Sequence, residues 1–200
     1  MDMACMTQLP LSTFPGIRVV ALTVADDVEL QHFFERAPVY FIAVNGEPAT
    51  PTEARDELLG PLPAGWTCSR MYWFGYRDAE DRLVAVVNIA ADLLAQGVWH
   101  IGLLLVDSRR HGSGLAQHLH ADLERWAIEN GAQWLRLTVV VGNTCAERFW
   151  PKLGYVPVRT RDGVAMGRQV NRVSIQIKAL AGGRVEDYLA LVERDRPGTP

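Results

Sequence analysis

The sequence predicts one α/β domain, a mixed sheet with helices on its faces, and three observations predict it. β-Branched and aromatic runs of strand length are interleaved with segments whose apolar residues recur at helical spacing, in the order β-α-α-β-β-β-α-β-α-β-β. The run from Val98 to Val106 is nearly all apolar, as a central strand covered on both faces must be. With 48% hydrophobic and 22% charged residues over 200 positions, and no repeat or low-complexity block, the chain has the composition and length of an ordinary globular protein with one core.

The elements follow in order. Ile17 to Leu22, "IRVVAL", is a β-branched run and the expected first strand. Asp26 followed three residues later by Glu29 resembles a helix start, and Leu30, Phe33 and Phe34 give that helix an apolar stripe until Pro38 stops it. "TPTE" puts Thr50 at a cap, Pro51 at the first helical position and Glu53 where a capping box needs it, so a second helix begins there. Beyond the turn-rich "GPLPAG", Cys68 to Tyr76 and Arg82 to Ile89 form a hairpin around "RDAED". After the Val98 to Val106 strand, Leu115, Leu119, Leu123 and Trp126 recur at helical spacing, and Asn130-Gly131 supplies the stop. Trp134 to Val141 is the next strand and "NTCAERFW" a short helix. Tyr155 to Thr160 and Val170 to Ile177 are a final strand pair joined by a loop with Gly163 and Gly167. After Gly182-Gly183, "VEDYLALVERD" has the pattern of one more helix. The expected organisation is a flexible arm over 1–13, one domain over 14–180 and an extension with helical capacity over 181–200.

A net charge of −3 argues against a broad basic surface for nucleic acid, so any anion site is local. Cys5, Cys68 and Cys145 are odd in number, widely spaced and without a C-x-x-C pair, which points away from zinc and disulfides and toward a reducing cytoplasm. The opening "MDMACMTQLPLSTFPG" lacks the cationic start and apolar block of a secretory signal, and no apolar run has the length of a membrane span. Neither nucleic acid nor membrane is therefore an expected partner, and a homodimer is left open. His118 and His120, two apart on one helix, do not face each other, so no metal is expected.

The chemistry concentrates in "VDSRRHGSGLAQHL", Val106 to Leu119. A glycine loop between a strand and a helix suits phosphate, because the first helical amides are unpaired and the helix dipole is positive there. GxxxxGK[ST] is absent, and G-x-G-x-x-G fails at Gln117. What fits is R-x-x-G-x-G, read at Arg109, Gly112 and Gly114. Together with the downstream "NTCAERFWPKLGY", which carries Asn143, Ala146, Phe149, Trp150, Gly154 and Tyr155, this loop resembles the GNAT superfamily of N-acyltransferases. The resemblance is detailed from about Trp99 to Val158 and architectural elsewhere. It departs from the family block at Ser108, where relatives have proline, and at His111, where they have arginine.

The resemblance implies a twisted, mostly antiparallel mixed sheet of roughly six to seven strands flanked by helices on both faces. It further implies acetyl-CoA as acyl donor, no metal, and direct transfer in a ternary complex to a primary amine of a small molecule or peptide. The loop amides from Arg110 through His111, Gly112, Ser113 and Gly114 to Leu115 are implied on the pyrophosphate, with Arg109 assisting. The backbone of Leu104 and Val106 would pair with the pantetheine arm, Asn143 would bond beside it, and the Leu104 amide would stabilise the oxyanion.

Two side chains are candidates for proton transfer. His100 lies six residues before Val106, where many relatives carry a glutamate base, and its reference pKa near 6.5 suits that role. A lone histidine in an apolar strand also reads as a hydrogen-bonded core residue. Strand alternation puts His100 on the face of Leu104 and Val106 unless Gly102 marks a bulge that resets the parity. Where relatives carry an acid tyrosine this chain has Trp150, whose N–H is no useful acid, so Tyr155 is the substitute candidate, with aromatic packing as its other reading. Cys145 has no identifiable histidine partner and reads as a buried structural thiol. The resemblance implies an acceptor between the first two helices and the later strands, where Phe33, Phe34, Tyr40, Phe41, Trp66, Tyr72 and Trp73 would suit an apolar amine and Glu29, Glu35, Glu53, Asp56 and Glu57 a cationic one, and the sequence leaves both open. The missing glutamate and tyrosine keep a second reading alive, a CoA-binding module without turnover.

Overall fold

In a computed structural model that describes residues 9–199, seven strands form one sheet. They are β1 (Arg18–Ala21), β2 (Arg70–Arg77), β3 (Leu83–Ala91), β4 (Val98–Val106), β5 (Trp134–Val140), β6 (Val156–Met166) and β7 (Gln169–Ala179). Their spatial order is β1-β2-β3-β4-β5-β7-β6, and every neighbouring pair is antiparallel except β4 and β5. Six helices flank the sheet: α1 (Asp27–Glu35), α2 (Pro38–Asn45), α3 (Glu53–Leu59), α4 (Leu115–Glu129), α5 (Thr144–Phe149) and α6 (Val185–Leu191). One face packs on α4 through Leu115, Leu119, Leu123 and Trp126. The other packs on α1, α2 and α3 through Leu30, Phe33, Phe34, Phe41 and Ala54. Tyr188 of α6 adds a third cluster with Trp134, Ile177 and Val98. Among the described residues, no helix is long and apolar enough to cross a membrane.

Several boundaries differ from the sequence pattern for identifiable reasons. Pro38 ends α1 and also opens α2, because its fixed φ and missing N–H are tolerated at a first helical position, whereas the sequence pattern marks it only as a stop. The entry to α1 is set by Thr23, whose capping box with Asp26 closes a 3-10 turn one step ahead of the Asp26/Glu29 pair. Thr50 and Glu53 do meet, with Glu53 Oε2 accepting from the Thr50 amide at 3.1 Å, but the regular helix starts only at Glu53. The expected loop around Gly163 is strand: β6 runs to Met166 through a register shift and turns at Gly167. Of the arm expected over 1–13, positions 1–8, including Cys5, lie outside the described residues. Thr13 is pinned to α4, its amide and hydroxyl donating to the Asp122 carboxylate at 2.7 and 2.8 Å.

One irregularity organises the centre of the sheet. β3 and β4 pair Asn88 with Leu103 but Ile89 with Ile101, so Gly102 is an extra, bulged residue. A Cβ at Gly102 would collide with Asn88 Oδ1, so any other residue there would have to displace the Asn88 amide. The bulge resets the parity of β4: Trp99, Ile101, Leu104 and Val106 face α4, whereas Leu103 and Leu105 join the α1 cluster and Val98 the α6 cluster. β4 and β5 pair only from Val98–Trp134 to Ile101–Leu137, although both continue further. The two strands therefore part at Gly102 and leave a cleft between them.

Candidate active site

The loop after β4 is built to hold its own shape and to present amides. Asp107 accepts from the Arg109 amide at 3.0 Å and receives the Arg109 guanidinium at Nε (3.0 Å) and Nη2 (2.6 Å), a fork that holds the Asp107 carboxyl below the usual carboxylate range. Arg109 is thus spent on the loop itself and lies outside the cleft lining. Arg110 lines the cleft and pairs with Asp78 at 2.6 Å. Gly112 and Gly114 have φ of +78° and +82°, which only glycine adopts freely, and Gly114 is the cap of α4. The Ser113 hydroxyl donates to the Arg110 carbonyl at 2.6 Å and accepts from the Leu115 amide at 3.3 Å. Among the described residues the amides of Gly112, Gly114 and Ala116 meet no protein acceptor, at the positive end of a 15-residue helix. The His111 Nε2–H donates to the Val106 carbonyl at 3.1 Å and ties the loop back to the strand end.

The edge of β4 supplies the second half. The Asp107 amide donates to the Val84 carbonyl at 2.9 Å, so in the antiparallel alternation Leu105 and Leu103 also turn their backbone groups toward β3. Leu104 and Val106 turn theirs the other way, where β5 has already parted. With the Val106 carbonyl taken by His111, the Leu104 N–H and C=O and the Val106 N–H are left for a ligand. The cleft they border has a volume of about 1630 Å³, above the roughly 300–1000 Å³ typical of a one-ligand pocket, so it has room for two molecules.

The chain matches the model of the acetyltransferase (GNAT) family over residues 46–155, more than half its length. It belongs to the GNAT acetyltransferase family. Solved structures of the same fold include an acetyltransferase from Thermus thermophilus, 20% identical, over 82% of this chain and 96% of that one with a TM-score of 0.63. The spermidine N-acetyltransferase from Vibrio cholerae, solved with CoA and spermine, is 13% identical over 83% and 96% with a TM-score of 0.63. The ribosomal-protein-S18-alanine N-acetyltransferase from Escherichia coli is 14% identical over 84% and 97% with a TM-score of 0.61. At these identities the likeness carries the fold alone. No curated protein sequence matches the chain.

In this GNAT chain the Gly102 bulge decides the side of His100, and Tyr155 lies against α4 rather than in the cleft. His100 lines the cleft but, through the bulge, lies on the face opposite Leu104 and Val106. Its Nδ1 accepts from Arg136 Nη1 at 3.1 Å, which fixes the proton on Nε2. Burial, and then the Arg136 charge, push its pKa down to about 3. The Nδ1 lone pair is therefore engaged by Arg136, and the ring is neutral at pH 7. Tyr155 is not among the residues lining the cleft; its hydroxyl is 2.9 Å from His120 Nε2, its ring packs on His120 and Trp150, and burial raises its pKa well above that of a free phenol. Tyr155 is thus packed between His120 and Trp150 with its hydroxyl at His120. Asn143 stands at the cleft margin and caps α5, its Oδ1 accepting from the Ala146 amide at 3.2 Å. Cys145 is exposed and lines the cleft rather than being buried, a correction that follows from its place in the first turn of α5.

The sequence pattern missed the acetyltransferase's arginines. Arg136, Arg161 and Arg194 line the cleft with Trp66 and His100. The available signal was Arg136 itself, a cation inside the apolar run "WLRLTVV", which folds only if a buried carboxylate answers it. That carboxylate is Asp195, 59 residues away.

Proposed function

We propose that this GNAT protein transfers an acetyl group from acetyl-CoA directly to a primary amine of a small molecule or peptide, with both bound in the cleft at once. The observation that carries the reading is the continuity of the free amides at Gly112, Gly114 and Ala116 with the open β4 edge at Leu104 and Val106, in one cleft large enough for donor and acceptor. Helix-terminal amides suit a pyrophosphate, and an unpaired strand edge suits the amide-bearing pantetheine arm. The amine substrates named for the Vibrio cholerae and Escherichia coli enzymes support the acceptor class.

When bound, acetyl-CoA supplies an activated thioester: its carbonyl carbon gains the C–N bond and loses the C–S bond, the thiolate leaves, and the proton given up by the nitrogen passes to solvent or to that thiolate. The chain's part is placement. The Leu104 N–H beside the bulge is the donor for the developing oxyanion, a role that needs no particular side chain. A thiol of pKa about 8.5 leaves tolerably without the acid that Tyr155 does not provide.

The test pairs calorimetry of acetyl-CoA binding with free-thiol release over a panel of amines. Amine-dependent thiol release is expected; tight binding with no transfer to any amine would make the protein a CoA-binding module. His100→Gln, whose amide oxygen still accepts from Arg136, is expected to leave the pH dependence of kcat/KM unmoved between about pH 5 and 9, because His100 is neutral throughout that range. Loss of an acidic limb in this variant would restore the base assignment.

A further inference from the structure

Beyond the Gly102 bulge the cleft wall carries three guanidinium groups against one carboxylate. The His100–Arg136 and Ile101–Leu137 pairs, the last two before β4 and β5 part, put Arg136 immediately below the bulge. Asp195 accepts from Arg136 Nε and Nη2 at 2.8 and 3.2 Å and from the Tyr188 hydroxyl at 2.6 Å, which uses its charge fully. Arg194 lies over the Trp66 ring, 4.6 Å from Cζ to centroid, with Arg136 at 5.2 Å from the same ring. Arg161 donates from Nη2 to the Arg194 carbonyl at 2.6 Å. Among the described residues neither Arg161 nor Arg194 has a carboxylate partner, and the Nε of each is buried without an acceptor. Burial and the neighbouring cations hold both groups below the usual guanidinium range, a repulsion that an anion would relieve. Two positive charges are thus in excess on this wall of a chain whose net charge is −3.

Anchoring of the C-terminal segment uses these groups only in part. Arg159 and Arg161 both donate to the Arg194 carbonyl, Arg159 also to that of Thr199, and the Arg194 side chain reaches Trp66, but none of these contacts supplies a negative charge. The acidic side chains of the lining, Asp56 and Glu57, come from α3 and pair with none of the three arginines.

We propose that the acceptor is a carboxylate-bearing amine of the amino-acid kind, its carboxylate held by Arg194 and Arg161 and its amine directed to the Gly102 bulge. A guanidinium held over an indole by its cation–π contact makes no carboxylate bond there, and its planar fork matches the planar pair of carboxylate oxygens. Trp66, Trp73 and Tyr40 in the same lining leave space for an apolar side chain. The inference rests on the acetyltransferase reading for the direction of the amine, but not for the anion site.

The probes are the N-acetyl derivatives of glycine, leucine, phenylalanine, methionine and glutamate, each paired with its carboxamide, titrated by calorimetry into the CoA-loaded full chain. At least one acid is expected to bind about 10-fold or more tightly than its own amide. Arg194→Gln, which keeps the carbonyl that Arg159 and Arg161 use, and Arg161→Gln should each reduce that preference to within about 3-fold, with CoA affinity and thermal midpoint as controls. Equal binding of acid and amide across the panel overturns the proposal, as does a preference that survives both substitutions. Tighter binding of N-acetyl-O-phosphoethanolamine than of every carboxylate would assign the site to phosphate instead. Thiol release from acetyl-CoA is followed in parallel with the free amines. Carboxylate preference without thiol release sinks the acetyltransferase reading alone, whereas thiol release with polyamines or amino-acid amides and not with amino acids sinks this inference alone.

Discussion

Asp195→Ala is expected to lower the unfolding free energy at pH 7 by about 3–5 kcal/mol, the usual cost of stranding one member of a buried ion pair. Asp195 and Arg136 are 0% and 1% exposed, so neither water nor a surface counter-ion can replace the lost partner. Arg136 would face Arg161 and Arg194 with no carboxylate among them, and the Tyr188 hydroxyl would lose its acceptor. Urea unfolding of the variant measures the effect, and a loss below about 1 kcal/mol would show that the pair does not hold the segment. The double variant Arg136→Met/Asp195→Leu should recover most of the loss, since a buried pair replaced as a unit by apolar groups costs little. Acid gives a second check. Burial opposes ionisation of Asp195, but Arg136 and Tyr188 outweigh it and depress the folded pKa. Its stabilisation is complete above the unfolded value near 3.9 and is lost as pH falls through the lower folded value, so the gap between wild type and variant should narrow below about pH 4. The same substitution frees Arg194 from its position over Trp66. It should therefore raise the KM of the acceptor more than that of acetyl-CoA.

What was legible in the sequence was local. Val98–Val106 reads as a strand from its apolar run alone, and the cradle reads from glycines whose positive φ is a local requirement. What was not legible depends on residues opposite or distant. Gly102 marks a candidate bulge in the sequence, but whether it resets the parity of His100 is decided across the sheet, where Asn88 pairs with Leu103 and Ile89 with Ile101. His111, a departure from the family pattern with no reading in sequence, takes its meaning from the Val106 carbonyl five residues back, reached only because the loop folds over. Arg136 signals that a buried partner exists but not which of 23 acidic residues it is. Arg109 shows the converse: the family pattern marks it for phosphate, but its pairing with the neighbouring Asp107 is visible only in the fold of the loop.

That occupation sharpens the expectation for the cradle, where the glycines and not Arg109 should dominate donor binding. Gly112→Val and Gly114→Val are each expected to raise the KM for acetyl-CoA by about 100-fold, against a few-fold for Arg109→Ala. A β-branched residue does not hold φ of +78° or +82°; the backbone must rotate toward negative φ, which turns the free amides of 112, 114 and 116 away from a shared focus. Charge-assisted hydrogen bonds of this kind contribute about 1.5–3 kcal/mol each, so losing one or two gives the stated change. The strain itself should cost only about 1–3 kcal/mol of stability, because a Cβ at Gly112 meets no protein atom within 4 Å and one at Gly114 meets only His118 Nδ1 at 3.9 Å. Loss of donor binding would then exceed what partial unfolding explains. S-Acetylpantetheine, which keeps the thioester and the arm but has no pyrophosphate, separates the two halves of the site. The glycine variants should process it like the wild type, while a variant at the β4 edge such as Gly102→Val, whose side chain would displace Asn88, should lose both donors. Equal losses on acetyl-CoA and S-acetylpantetheine in Gly114→Val would mean that the loop supports the strand edge and does not hold the phosphates.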